Sequence, residues 1–390
     1  MTRHGNLPKP TTLLFTVVSL ALAIVLAIPG LARSQGIFPV TFTDLAGREV
    51  TIERAPERII VAQYIANYLM VGGAVSLDRV VGMTFDGWQD TRLGEYTVFT
   101  ESFPILKEIT SIGGYHDSVL DAEKILSLKP DVIIVDRSQF AANEQRLQIF
   151  ESAGAKVVVL DYHSMKIETH SKSNEILGRI LGREDVAKRQ IDAYAQAVGE
   201  LHRRLSTLDS NTPMPRVYVE LGNKGLAENG NSYNNTVLWG AIVSGLRGDN
   251  LAKDMEQPYA PLDNEFILSA DPQIIFVGGS IWSGSESDQM RMGFTVDEAT
   301  AEGRLKAFAK RPNWRHLTAV KNGQIYAVDH GSLRNMADYV FSQFIAQVMY
   351  PELFADLKPQ ENLANFYKEF LPELKYTGVF VLGPVGADGN

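Results

Sequence analysis

Residues Leu120–Val135 read LDAEKILSLKPDVIIV, and residues Leu262–Val277 read LDNEFILSADPQIIFV, so nine of sixteen aligned positions are identical. Each copy holds an Asp able to cap a helix, a Glu two residues on, an Ile-Leu pair at helical spacing, a Pro stop and then a continuous apolar β run. That is a helix feeding a strand buried on both faces. Two weaker echoes keep the same order: RIIVAQY (Arg58–Tyr64) resembles RVYVELG (Arg216–Gly222) ahead of the match, and GAKVVVLD (Gly154–Asp161) resembles NGQIYAVD (Asn322–Asp329) after it. A duplicated set of βα units predicts two lobes of the same kind.

Between the copies, Ala187, Ile191, Tyr194, Val198, Leu201, Leu205 and Leu208 recur at steps of four and three. This is one apolar stripe on a helix of about 25 residues and roughly 37 Å. The expected architecture is therefore α/β: two Rossmann-like lobes, residues 35–182 and 213–390, joined by one long helix across 183–212. Thr212-Pro-Met-Pro215 marks the entry to the second lobe. A rod of this kind permits only modest lobe closure. With 390 residues, 45% of them hydrophobic, the chain is long enough for two cores.

Ahead of the lobes, Arg3, His4 and Lys9 precede the apolar run Leu13–Ile28, after which Pro29 and Gly30 break any helix and Ala32 and Ser34 supply small residues. Residues 1–34 read as a secretory signal peptide. The alternative is a membrane anchor, for which the run is short. Cysteine is absent, which removes disulfides, thiolate nucleophiles, Cys-bound zinc and a lipid-modified cysteine. The expectation is a free periplasmic protein without a lipid anchor. A formal charge of −9 with no sustained basic run excludes nucleic acid as a natural partner.

Five stretches together resemble the Fe/B12-type periplasmic substrate-binding proteins of ABC importers: VTFTDLAGREVTIERAPERIIV (Val40–Val61), the LDAEKILSLKPDVIIV block, ILGRILGRED (Ile176–Asp185), SGLRGDNLAKD (Ser244–Asp254) and RPNWRHLTAVKNGQIYAVD (Arg311–Asp329). The resemblance spans roughly residues 40 to 350. It implies a non-catalytic monomer that captures a metal chelate between its lobes, a ferric siderophore first, with haem, cobalamin or a molybdate-type oxyanion as alternatives. No resident cofactor is expected. The partner it implies is an inner-membrane ABC permease, and the family's docking glutamates fall at Glu123 and Glu265, equivalent places in the repeat. Either glutamate would also complement the positive end of its own helix with no partner at all.

Ligands of open α/β sheets lie beyond the carboxyl ends of strands, so the loops there supply the candidate contacts. These are Tyr64, Trp88, Tyr115, Arg137, Tyr162 and His163 in the first half, and Tyr233, Trp282, His330 and Arg334 in the second. The aromatics suit a flat, partly apolar ligand, and the arginines suit carboxylate or chelate oxygens. The seven histidines form neither HExxH nor an i, i+4 pair, so no protein metal site is predicted. A histidine from each half, or a tyrosinate from Tyr64, Tyr162 or Tyr233, remains open as a ligand to iron in haem. The rival of another class is an exported α/β hydrolase, but Gly279-Ser-Ile-Trp-Ser-Gly284 lacks the G-x-S-x-G spacing of a nucleophile elbow.

Overall fold

The computed structural model describes residues 1–2, 5, 38–284 and 288–385. The segment read as a signal peptide lies, apart from residues 1, 2 and 5, outside the described residues. Among those described, no helix is long and apolar enough to cross a membrane.

Two five-stranded sheets organise the chain. The first runs, edge to edge, Thr110–Ser111, Val80–Met83, Ile59–Val61, Val132–Asp136, Lys156–Leu160, all parallel. The second runs Asp249–Asn250, Arg216–Leu221, Ile274–Gly279, Ile325–Asp329, with Val381–Val385 antiparallel at its edge. Apolar runs such as VIIVD and IIFVGG are buried at every residue, as strands covered by helices on both faces must be. The three strands related by the repeat take three adjacent places in each sheet. In both sheets the chain turns back at the first of them, and the loops at their carboxyl ends open onto one crevice.

The duplication extends to side chains. Arg58 donates through Nε to the Leu128 carbonyl at 2.8 Å, and Arg216 donates to that of Ala270 at 3.0 Å, each satisfying the free end of the repeated helix. Those helices, Ala122–Leu128 and Asn264–Ala270, are capped at their starts by Asp121 and Asp263. Each ends on a left-handed residue, Lys129 at φ 46° or Asp271 at φ 45°, directly before its proline.

The linking helix spans Glu184–Leu205, 22 residues, shorter than the sequence stripe implied. Its end is set by capping. Ser206 and Thr207 turn their hydroxyls back onto the carbonyls of Arg203 and Arg204, and Arg247 takes those of Leu205, Leu208 and Asp209. Val186, Ala187, Gln190, Tyr194, Leu201 and Leu205 form its buried face, packed on the helices Ile167–Leu181 and Tyr339–Met349.

The two lobes share one hydrophobic core, which runs from Val61 and Tyr68 through Tyr194 to Val219, Phe341 and Phe380. Polar links cross the junction as well. Buried His170 meets buried Asp338 at 3.1 Å, and Asn67 donates to the Arg334 carbonyl at 2.9 Å. Leu93 N–H donates to the Ile281 carbonyl, and the Ser280 hydroxyl to that of Thr91. After Leu382 the edge strand continues to Val385, which pairs with Ile325 and is 5% exposed.

Candidate functional site

Between the lobes lies a narrow cleft, lined among others by Tyr64, Trp88, Arg92, Tyr115, His163 and Arg334. Tyr64 comes three residues after the first repeat strand and holds a left-handed backbone, φ 68°, at the start of the helix Ile65–Gly72. That bend points its phenol back toward the neighbouring strand end. Its hydroxyl lies 2.7 Å from His163 Nδ1 and accepts the Tyr162 N–H at 3.3 Å. Burial, reinforced by the charges of Asp136 and Asp161, pushes the Tyr64 phenol well above the ordinary range.

Trp88, 2% exposed, donates its indole N–H to Glu95 at 2.8 Å, and Glu95 also meets Arg92 at 3.3 Å. The Arg92 guanidinium sits 5.8 Å from the centre of the Tyr115 ring. Tyr115 is delivered by two left-handed glycines, Gly113 and Gly114. Its ring lies so close over Gly87 that a methyl group there would clash with it. Burial acts to raise the Tyr115 phenol, yet the charges of Arg92 and Arg334, with a hydrogen bond from Thr91, outweigh it and set it below its usual value.

From the second lobe, Arg334 enters on a left-handed backbone at φ 72°. The carboxylate of Asp338 fixes that turn by accepting the Arg334 and Asn335 N–H groups. The guanidinium donates to the His330 carbonyl at 3.0 Å and is 9% exposed as a residue. Burial and the nearby charge of Arg92 lower its pKa. His330 stacks on Tyr233, ring centres 5.9 Å apart, and its Nδ1 accepts the Trp239 indole N–H at 3.0 Å. Burial and the same two guanidiniums hold His330 well below the usual histidine range and push His163 down to about 3.

The structure thus brings Tyr64, Trp88, Tyr115, His163 and Arg334 onto one cavity, with Tyr233 and His330 stacked beside it. Two expected contacts lie elsewhere. Arg137 points to the surface and pairs with Asp161 at 2.9 Å, because it opens a helix on the far side of its strand end. Tyr162, 0% exposed, supports Tyr64 edge-on from beneath and gives its hydroxyl to Asn174. Trp282 is half-buried in the segment Ile281–Ser283, whose backbone bonds to Asp90 and Leu93 and so closes one rim. Glu123 and Glu265 are both exposed, in the first turns of the repeated helices. Tyr64, Tyr162 and Tyr233 are all shifted upward by burial, so in the ligand-free cleft each phenol holds its proton.

Sequence reading missed Arg92 and Glu95. Their signal was helical spacing: Trp88, Arg92 and Glu95 fall at steps of four and three just beyond the loop that holds Trp88. What the missed pair changes is charge. Arg92, half-buried, and the buried Arg334 face the carboxylate of Glu95, Asp329 also lies close enough to favour the Arg92 cation, and Arg92 Nε has no hydrogen-bond partner. Such a cleft favours an anion with several acceptor atoms. Among the described residues, no group of three or more His, Asp or Glu side chains could hold a metal ion.

A family model described as "Periplasmic binding protein" matches residues 94–330. An uncharacterised ABC transporter substrate-binding lipoprotein of Bacillus subtilis is 22% identical over 82% of this chain and 88% of its own. A cobalamin-binding protein of Halobacterium salinarum is 25% identical over 77% of this chain and 70% of its own. Among solved structures, the TroA-like periplasmic binding protein FepB of Veillonella parvula superposes with a TM-score of 0.82 at 33% identity, covering 88% of this chain and 99% of that one.

Proposed function

Because this chain belongs to the periplasmic binding protein family, we propose that it is the soluble receptor of an ABC importer and captures an anionic metal chelate, a ferric siderophore foremost. The observation that carries this reading is the two guanidiniums, half-buried Arg92 and buried Arg334, set among the rings of Tyr64, Trp88 and Tyr115. A guanidinium N–H left without a partner inside the cleft is costly, and acceptor atoms on an anionic ligand offset that cost. The rings offer apolar and cation–π surface to an aromatic chelate. A compact oxyanion is the second reading, favoured by how tightly the donors converge. Haem and cobalamin remain weaker fits, because the lobes are bonded across one rim at Leu93 and Ser280.

In this reading the ligand enters between the lobes, the lobes adjust slightly about the linking helix, and the loaded receptor docks on the permease. Glu123 and Glu265 are the proposed docking contacts, one per lobe, and the chain acts as a periplasmic monomer without catalysis. Tryptophan quenching by ferric catecholate and hydroxamate chelates, haem, cobalamin and molybdate tests the ligand class. Replacing Arg92 or Arg334 by Met should weaken an anionic ligand by about 100-fold, the loss expected for a buried charge-assisted contact. Equal affinity in the variants would overturn the assignment. Charge reversal of both glutamates should abolish ligand-dependent stimulation of the transporter ATPase while leaving quenching unchanged.

A further inference from the structure

His163, on the cleft wall, and His330, beside the cleft, are held in a defined protonation pattern by their neighbours. An indole N–H can only donate, so His330 Nδ1, which takes the Trp239 N–H at 3.0 Å, must offer a lone pair there. A neutral imidazole carries its single proton on the other nitrogen, Nε2. His163 reaches the same state by a different route. The Tyr64 oxygen already accepts the Tyr162 N–H, and its own hydroxyl proton has one acceptor within reach, His163 Nδ1 at 2.7 Å. The reverse arrangement would leave a buried phenolic O–H without a partner. Among the described residues, no protein group bonds Nε2 of either ring. The two rings belong together in space: Leu238 donates its N–H to the His163 carbonyl, and Trp239, the next residue, fixes His330.

We infer that the cleft grips its ligand through N–H donors alone: His163 and His330 present Nε2–H beside Arg92 and Arg334 to an oxygen-rich anionic face, and neither imidazole ligates a metal carried by the ligand. A metal needs a lone pair at Nε2, the nitrogen that holds the proton in both rings. The ligand therefore brings a complete coordination shell, or no metal cation at all, and is selected by the acceptors on its surface. The depressed affinity of both rings for a second proton agrees with this neutral donor state. The inference deepens the capture role and rests on it for the ligand, whereas the protonation pattern is a property of the free protein.

Long-range proton–nitrogen correlation spectra of the ¹⁵N-histidine-labelled protein at pH 7 decide the pattern without any ligand. His163→Gln and His330→Gln assign the two signals. Both rings should show Nε2–H, and a proton on Nδ1 of either in the unmodified protein overturns the inference. Trp239→Phe should release His330 alone from this preference, and Tyr64→Phe should release His163 alone. In a second arm, ferric and gallium tris-catecholates, molybdate and unchelated nickel(II) are added separately. A bound chelate or molybdate should shift both Nε2–H signals without removing them, and nickel(II) should leave both in place. Selective loss of an Nε2–H signal on binding would show metal ligation and refute the donor role. His330→Leu should weaken whichever anion binds by about 10-fold or more, while His330→Gln, which still offers an N–H, should retain most of the affinity. If none of these probes binds, the capture reading fails for them, and the first arm still decides the protonation pattern.

Discussion

His163 shows how a single buried group ties the site to stability. An unfolded histidine takes up its proton near pH 6.5, whereas His163 in the folded chain does so only near pH 3. The stability that depends on this group is complete above the unfolded value and is lost as pH falls toward the folded one, by about 1.4 kcal/mol per pH unit. Urea melts should therefore show His163→Gln gaining about 1–2 kcal/mol relative to the parent chain between pH 7.5 and pH 5. Parallel profiles would mean that the ring is solvated. Gly87 makes a steric counterpart. Alanine there would drive a methyl into the Tyr115 ring, so Gly87→Ala should cost about 1–3 kcal/mol and weaken ligand quenching, because the displaced ring no longer lies under Arg92. Unchanged quenching would remove Tyr115 from the site.

The helix Glu184–Leu205 carries the greatest structural responsibility of any single element. Glu184 and Asp185 open it and His202, Arg203 and Arg204 close it, an order that suits the helix dipole. Its stability comes mainly from the buried face, where Leu201 is 1% exposed. Leu201→Ala should cost about 2–5 kcal/mol by leaving a cavity, measurable as a shifted denaturation midpoint at unchanged slope. A loss below 1 kcal/mol would show that the helix lies on the surface rather than in the joint. The segment Ile281–Ser283 is the opposite case: it binds the facing lobe by backbone bonds to Asp90 and Leu93, which any sequence could supply. Its continuation through residues 282–292 is polar and glycine-containing, a composition that suits a cleft lip and an ordinary surface loop equally.

Across the molecule, the lobes are joined by a continuous core and by the buried His170–Asp338 pair. Neither lobe can unfold without exposing apolar surface of the other, so calorimetry should give one transition with equal calorimetric and van't Hoff enthalpies. Two resolved transitions would show that the lobes are independent. The repeat, the succession of its strands and helices along the chain and the linking helix were all readable from residue order, because apolar periodicity and helix-stop chemistry act over a few neighbours. So were Tyr64, Trp88, Tyr115, His163 and Arg334 as residues at strand ends. The pairing of Arg92 with Arg334, the surface position of Arg137, the burial of Tyr162 and the protonation pattern of the two histidines were not. Each depends on groups far apart in the chain, such as Tyr64 with His163 or Trp239 with His330. Charge, burial and hydrogen-bond direction are set by whatever stands opposite in space, and only the packing of one lobe on the other decides that.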